Sequence, residues 1–128
     1  MPSLPNAPEL KIALVGVSRD CFPIDLTRRR LAALAAACQR LSLETVALSQ
    51  IIESSSDAVA ALAEAEGLGC NAAVIYLGNF GPEGPLSIFA ERFPGPVMAC
   101  GAAEESGKDL IGGRGDAFCG MLNAGINF

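Results

Sequence analysis

Short apolar runs alternate along the chain with longer segments whose apolar residues recur every three or four positions, and turn-forming residues separate the two kinds. Lys11 to Val17 (KIALVGV) is a run of the first kind. Bounded by turn signals, such runs read as strands buried on both faces. The run ends in Ser18-Arg19-Asp20-Cys21-Phe22-Pro23. A helix is predicted from about Asp25, capped by Asp25 or Thr27, with Leu31, Leu34, Cys38 and Leu41 forming one apolar stripe among strong helix formers. Leu43 to Leu48 (LETVAL) reads as a second strand, and Ser54-Ser55-Ser56-Asp57 supplies caps for a helix through Glu66 that Gly67 closes. Ala72 to Leu77 (AAVIYL) is a third strand. The loop Gly78 to Pro85 is dense in breakers, and Pro85 fits the first turn of a helix running to about Arg92. Phe93-Pro94-Gly95 ends that helix, and Pro96 to Cys100 (PVMAC) gives a fourth strand with its proline at the first position. Gly101 to Gly115 reads as loop, within which Leu110 and Ile111 suit a brief fifth strand. Asp116 then caps a last helix bearing Phe118, Met121 and Leu122.

Strands and helices that alternate with short connections call for a parallel sheet covered on both faces. The expected architecture is therefore an α/β fold: a three-layer open parallel sheet, flavodoxin-like or Rossmann-like, of four to five strands with helices on both faces. In such sheets ligands bind outside the carboxyl ends of the strands, where strand order reverses. With strand order 2-1-3-4, the loops after the first and third strands flank that point. Arg19 and Asp20 are then brought near Asn79 and Phe80.

Composition narrows the chemistry. The 128 residues are 51% hydrophobic and 18% charged, which suits one domain with one core, and no run of eighteen apolar residues suggests a membrane span. The start, MPSLPNAPEL, lacks a basic segment followed by a hydrophobic one, so cytoplasm is the default location. Net charge is −5 and the one basic cluster, Arg28, Arg29 and Arg30, reads as a solvated helix face, so no nucleic-acid partner is expected. The five cysteines are widely spaced without a C-x-x-C pair, which suits buried or reduced thiols better than zinc or a disulfide framework. There is no histidine. A Ser-His-Asp triad, a Cys-His pair, a zincin motif and a His-ligated metal are all excluded.

The candidate edge lacks the residues of nucleotide chemistry. GVSRDCFP after the first strand is neither G-x-G-x-x-G nor G-x-x-x-x-G-K-[ST], and no acidic residue ends the second strand to hold a ribose. A flavin site would need a phosphate loop and clasping rings, but the chain has one Tyr and no Trp. A phosphoacceptor receiver would need Asp where Leu77-Gly78-Asn79 stands. Arg19-Asp20 reads either as a donor and acceptor for a hydroxyl-rich ligand or as a surface ion pair. Asn79-Phe80 pairs an amide with a ring, as sugar-binding proteins do, unless Phe80 closes the core. Glu83 reads as a solvated loop acid. Glu104 and Glu105 are adjacent in a loop and expected to point apart, which argues against a paired-carboxylate site. Arg114-Gly115-Asp116 is a chance match to an adhesion tripeptide. Cys119 falls in the first turn of the last helix, where the dipole lowers a thiol pKa, but without a His partner it reads as a packed small residue.

Three segments in order, V-G-V-S-R-D-C-F-P at 15 to 23, Y-L-G-N-F-G-P-E at 76 to 83 and R-G-D-A-F-C-G-M-L-N-A at 114 to 124, resemble the N-terminal domain of L-fucose/L-arabinose isomerase-like proteins. The resemblance spans nearly the whole chain. It implies that residues 1–128 are the first domain of a longer sugar isomerase working by aldose–ketose interconversion through an enediol. It further implies a divalent metal, usually Mn2+, held by later domains. Homo-oligomers are implied too, in which the first domain of one subunit roofs a neighbour's site and meets the monosaccharide at the subunit interface. Carried over onto this chain are Arg19 and the Asn79-Phe80 turn. The chain alone is expected to be inactive and to bind no metal. A free-standing polyol-binding or regulatory module is the alternative, and one subunit of a two-chain isomerase a third.

Overall fold

The computed structural model describes residues 6–105 and 113–127. In chain order the elements are β1 (Ile12–Val17), α1 (Ile24–Arg40), β2 (Thr45–Ala47), α2 (Ser55–Gly67), β3 (Ala72–Leu77), α3 (Glu83–Arg92), β4 (Val97–Gly101) and α4 (Ala117–Asn127). Among the described residues the strands form one sheet in the order β2-β1-β3-β4, every pairing parallel. Ile12 lies opposite both Thr45 and Ala72, and Ala73 lies opposite Val97. The three-layer α/β architecture and the strand order follow the apolar pattern. The possible strand at Leu110 and Ile111 lies outside the described residues.

The two faces are unequal. On one, Leu14, Leu31 and Ile51 form a small core beneath α1, joined by Leu34 and Cys38 at its margin. On the other, α2, α3 and α4 cover the larger core, in which Val15, Val17, Ile52, Ile75, Leu77 and Phe89 are sealed from water. Each fully buried Val, Leu, Ile or Phe contributes roughly 1.5–3 kcal/mol. Phe89 stacks on Phe93 with centroids 5.5 Å apart.

Local chemistry sets the element ends. Helix α2 begins at a capping box: Ser54 Oγ accepts from the Asp57 amide, and Asp57 Oδ2 accepts from the Ser54 amide at 2.8 Å. The hydrogen bond from Ser54 holds the Asp57 carboxyl below its ordinary range. The helix runs through Gly67, and the left-handed turn falls at Gly69, two residues later than expected. Helix α1 departs from the expected caps. It starts at Ile24 after Pro23 with no side-chain cap, Asp25 pairs with Arg28 in the first turn at 2.9 Å, and Thr27 is fully buried, its hydroxyl donating to the Val17 carbonyl at 3.0 Å. Leu41 lies past the last helical residue and is exposed, so it does not extend the apolar stripe.

Strand β2 is shorter than LETVAL suggests. After Leu48 donates to the Leu14 carbonyl, the Ser49 and Gln50 amides turn to the Glu64 carboxylate, and the chain rejoins β1 at Ile52. In α4 the buried positions are the small residues Ala117, Gly120 and Ala124. Met121 packs partly against the core, whereas Phe118 and Leu122 point outward. The reason is proximity: a Cβ on Gly120 would collide with the Phe80 carbonyl, so only a small-residue face brings α4 this close to the turn after β3.

Candidate functional site

Strands β1 and β3 lie side by side, and their carboxyl ends release the chain into Ser18-Arg19-Asp20 and Gly78-Asn79-Phe80. Helices α1 and α3 leave these ends toward opposite faces, which makes this the crevice of the open sheet. Asn79 joins the two loops. It is fully buried; its Oδ1 accepts from the amides of Arg19 at 3.0 Å and Gly81 at 3.3 Å. Its Nδ2 donates to Ser18 Oγ at 2.8 Å and to the Pro23 carbonyl at 3.4 Å. Both donors and both acceptor positions of the amide are thus spent inside the protein. Gly81 follows with a φ of 73°, a conformation that glycine adopts without strain.

Around this buried clamp stands a half-exposed wall. The Arg19 guanidinium lies over the Phe80 ring, 5.0 Å from its centroid, and Phe80 stacks on Phe22 with centroids 6.0 Å apart and planes 8° from parallel. A cation over a ring face at this separation is attracted by the ring quadrupole. Arg19 also reaches Glu83 Oε1 at 3.4 Å, with both side chains more than a third exposed. Its ionic partner is therefore Glu83, the first residue of α3, and Asp20 stands exposed beside it. Glu83, expected to be only a solvated acid, receives a second hydrogen bond from Asn123 Nδ2 on α4.

A second network supports the same turn from the α1 side. Arg30, expected on a solvated face with Arg28 and Arg29, is only 6% exposed. Its Nη1 donates to the Gly78 carbonyl at 2.6 Å and its Nη2 to Glu104 at 3.1 Å, while Glu105 lies 3.6 Å from Nε. Glu104 and Glu105 thus converge on one guanidinium instead of pointing apart. Glu104 also accepts from the Gly115 and Asp116 amides at 3.1 and 2.7 Å, just before α4 begins. Burial raises the Glu104 pKa, but the Arg30 and backbone hydrogen bonds outweigh it and hold the carboxyl below its ordinary range. A signal for Arg30 exists in the sequence: it falls four residues after Leu26 and three after Thr27, on the face where α1 is buried.

The remaining candidates fall into place around this edge. Arg114 and Asp116 pair with each other at 3.2 Å and Gly115 is buried between them, so the tripeptide is a folded-in turn. Cys119 is exposed instead of packed. Its thiol pKa is raised, chiefly by the hydrogen bond with Asp116 and not lowered by the helix dipole. Cys21 is exposed and Cys70 buried, and no described cysteine is in a disulfide. The donor set does not fit a metal of the kind the resemblance implies. The chain has no histidine, and among the described residues no three Asp, Glu or Cys side chains converge on a point; the adjacent Glu104 and Glu105 are already turned to Arg30.

The cleft between Arg30, Glu104 and Arg114 has a volume of about 240 Å³, below the usual range for a small-molecule site. A roomier one, about 440 Å³, lies at the opposite, amino edge of the sheet beside Leu62 and Phe93. It is remote from the Arg19–Phe80 wall. Among the described residues no helix is long and apolar enough to cross a membrane. No curated protein matches the chain, but the model of the fucose/sulfoquinovose isomerase N-terminal domain matches residues 13–128. With that match running from β1 through α4, this chain belongs to the fucose/sulfoquinovose isomerase N-terminal domain family.

Proposed function

We propose that the domain is a substrate-capping and oligomerisation domain of a sugar isomerase: it forms one wall of an aldose–ketose isomerase site that other domains, on the same or a neighbouring subunit of a homo-oligomer, complete. The observation that carries the reading is the Arg19–Phe80 wall at the carboxyl ends of β1 and β3, in a chain of this isomerase family. The guanidinium donates hydrogen bonds to sugar hydroxyls, and the part of the Phe80 ring left open by Arg19 and Phe22 adds apolar surface beside it. Asp20 is an exposed acceptor beside them. Asn79 serves from beneath, fixing the backbone of Arg19 and the turn that presents Phe80.

These residues bind, orient and exclude water; they move no proton. Transfer between adjacent carbons through an enediol needs an acid/base group with a pKa near the working pH, and arginine stays protonated throughout. The metal of such isomerases, Mn2+, finds no ligand set among the described residues, so the reading assigns it to other domains. The cytoplasm is the matching compartment for sugar metabolism and for free thiols.

The test has two arms. Purified chain with Mn2+ and L-fucose should give no turnover, and turnover would overturn the division of labour. In the complete isomerase, Arg19→Ala should raise KM about tenfold, the value of a lost charged hydrogen bond, with kcat little changed. An unchanged KM would remove Arg19 from the substrate. Calorimetry with aldoses, ketoses and polyols separates the alternative. Silence with the isolated chain fits a wall that needs its neighbours, and saturable binding favours a free-standing polyol module.

A further inference from the structure

We propose that Glu83 is the positioning residue for Arg19, and that Asn123 couples this placement to helix α4. The inference rests on the reading of Arg19 as a sugar-facing group. A long, half-exposed arginine is rotamer-rich and costs entropy to hold in one geometry, yet a sugar-contacting guanidinium must be held before the ligand arrives. Stacking on Phe80 confines the guanidinium plane to a height above the ring but leaves it free to slide and rotate there. Glu83 supplies the missing restraint. Its Oε1 takes Arg19 Nη1 from one side and Asn123 Nδ2 from the other, so the carboxylate is itself oriented by a residue of a different helix.

An ordinary acid at the first position of a helix needs only the dipole for its presence. Glu83 does more, because its partners lie 64 residues before it and 40 after it, on the loop following β1 and on α4. Helix α4 meets the same turn at a second point: Gly120, one turn before Asn123, packs against the Phe80 carbonyl. The ring under Arg19 and the carboxylate beside it are therefore both registered against α4. A shift of α4 along its axis moves the Arg19 restraint and the Phe80 turn together. With both hydrogen bonds on Oε1, Oε2 keeps acceptor capacity next to the Arg19 donors. A donor and an acceptor side by side match two neighbouring hydroxyls, the arrangement a sugar chain presents.

The experiment labels arginines of the purified chain with phenylglyoxal and follows each site by peptide mass spectrometry. Glu83→Ala should let Arg19 react about threefold faster, the range of a partly exposed ion pair. Exposed Arg28, paired with Asp25, keeps its rate. Glu83→Gln, which keeps the size and an oxygen acceptor, should fall between, and Asn123→Ala should give a smaller rise in the same direction. An unchanged Arg19 rate in Glu83→Ala, with the circular dichroism of the native chain, overturns the assignment; the near-isosteric Gln variant decides the matter if the Ala variant does not fold. In the complete isomerase, Glu83→Ala should raise KM about threefold with kcat unmoved. Faster labelling beside an unmoved KM would leave Glu83 as the holder of Arg19 and overturn the sugar-facing reading instead.

Discussion

Arg19 and Arg30 approach the same Gly78-Asn79-Phe80 turn from opposite sides, and the contrast between them shows what burial leaves a guanidinium free to do. Arg30 is 6% exposed and gives its Nη donors to a backbone carbonyl and a carboxylate. Arg19 has a side chain 41% exposed, rests on a ring and shares one carboxylate oxygen with an asparagine. A guanidinium sealed in the protein is useful only while every partner stays in place, because losing one strands a charge away from water. A guanidinium at the rim can exchange water for a ligand at little cost. Between the two lies Asn79, whose saturated amide ties the loop after β1 to the turn after β3.

The contrast can be broken most forcefully at the buried side. Arg30→Ala leaves the Gly78 carbonyl and Glu104 without their cation and should cost about 3 kcal/mol, read as a lower urea midpoint with an unchanged slope. Asn79→Ala removes four hydrogen bonds at once from fully buried groups and should cost about 2 kcal/mol, measured the same way. A milder test is acid. Asp57, Glu64 and Glu104 have folded pKa values below their ordinary ones. Their contribution to stability is present above the ordinary carboxylate range and is lost as pH falls through the folded values. The melting temperature should therefore drop on acidification below about pH 4, and Arg30→Met should flatten the part due to Glu104. The smallest expected effect is at the rim: Arg19→Ala should change stability by less than about 1 kcal/mol, whatever it does to sugar binding. A rim substitution as costly as the buried one would erase the distinction.

Much of the architecture is legible in the sequence because it rests on period and punctuation. AAVIYL is a strand over the residues it spells, and Ser54 to Asp57 forms the capping box its spacing describes. What escapes is decided by partners distant in sequence. Nothing local to Thr27 reveals that its hydroxyl belongs to the Val17 carbonyl, and nothing local to Glu104 and Glu105 reveals that both turn to Arg30. The outward direction of Phe118 and Leu122 follows from how closely Gly120 must approach Phe80, a tertiary demand that outranks the hydrophobicity of the helix. At the candidate site the sequence brings Arg19, Asp20, Asn79 and Phe80 to one edge. It does not distinguish the buried Asn79 from the partly exposed side chains around it, and it gives Glu83 only as a solvated acid.

The most direct measurement is a crystal structure of the complete isomerase with a polyol bound. An Arg19 Nη atom should lie within about 3 Å of a ligand hydroxyl, with the open part of the Phe80 ring beside the ligand and every metal ligand contributed from outside this domain. A bound polyol out of hydrogen-bond reach of Arg19, with that side chain facing bulk solvent, would contradict that placement.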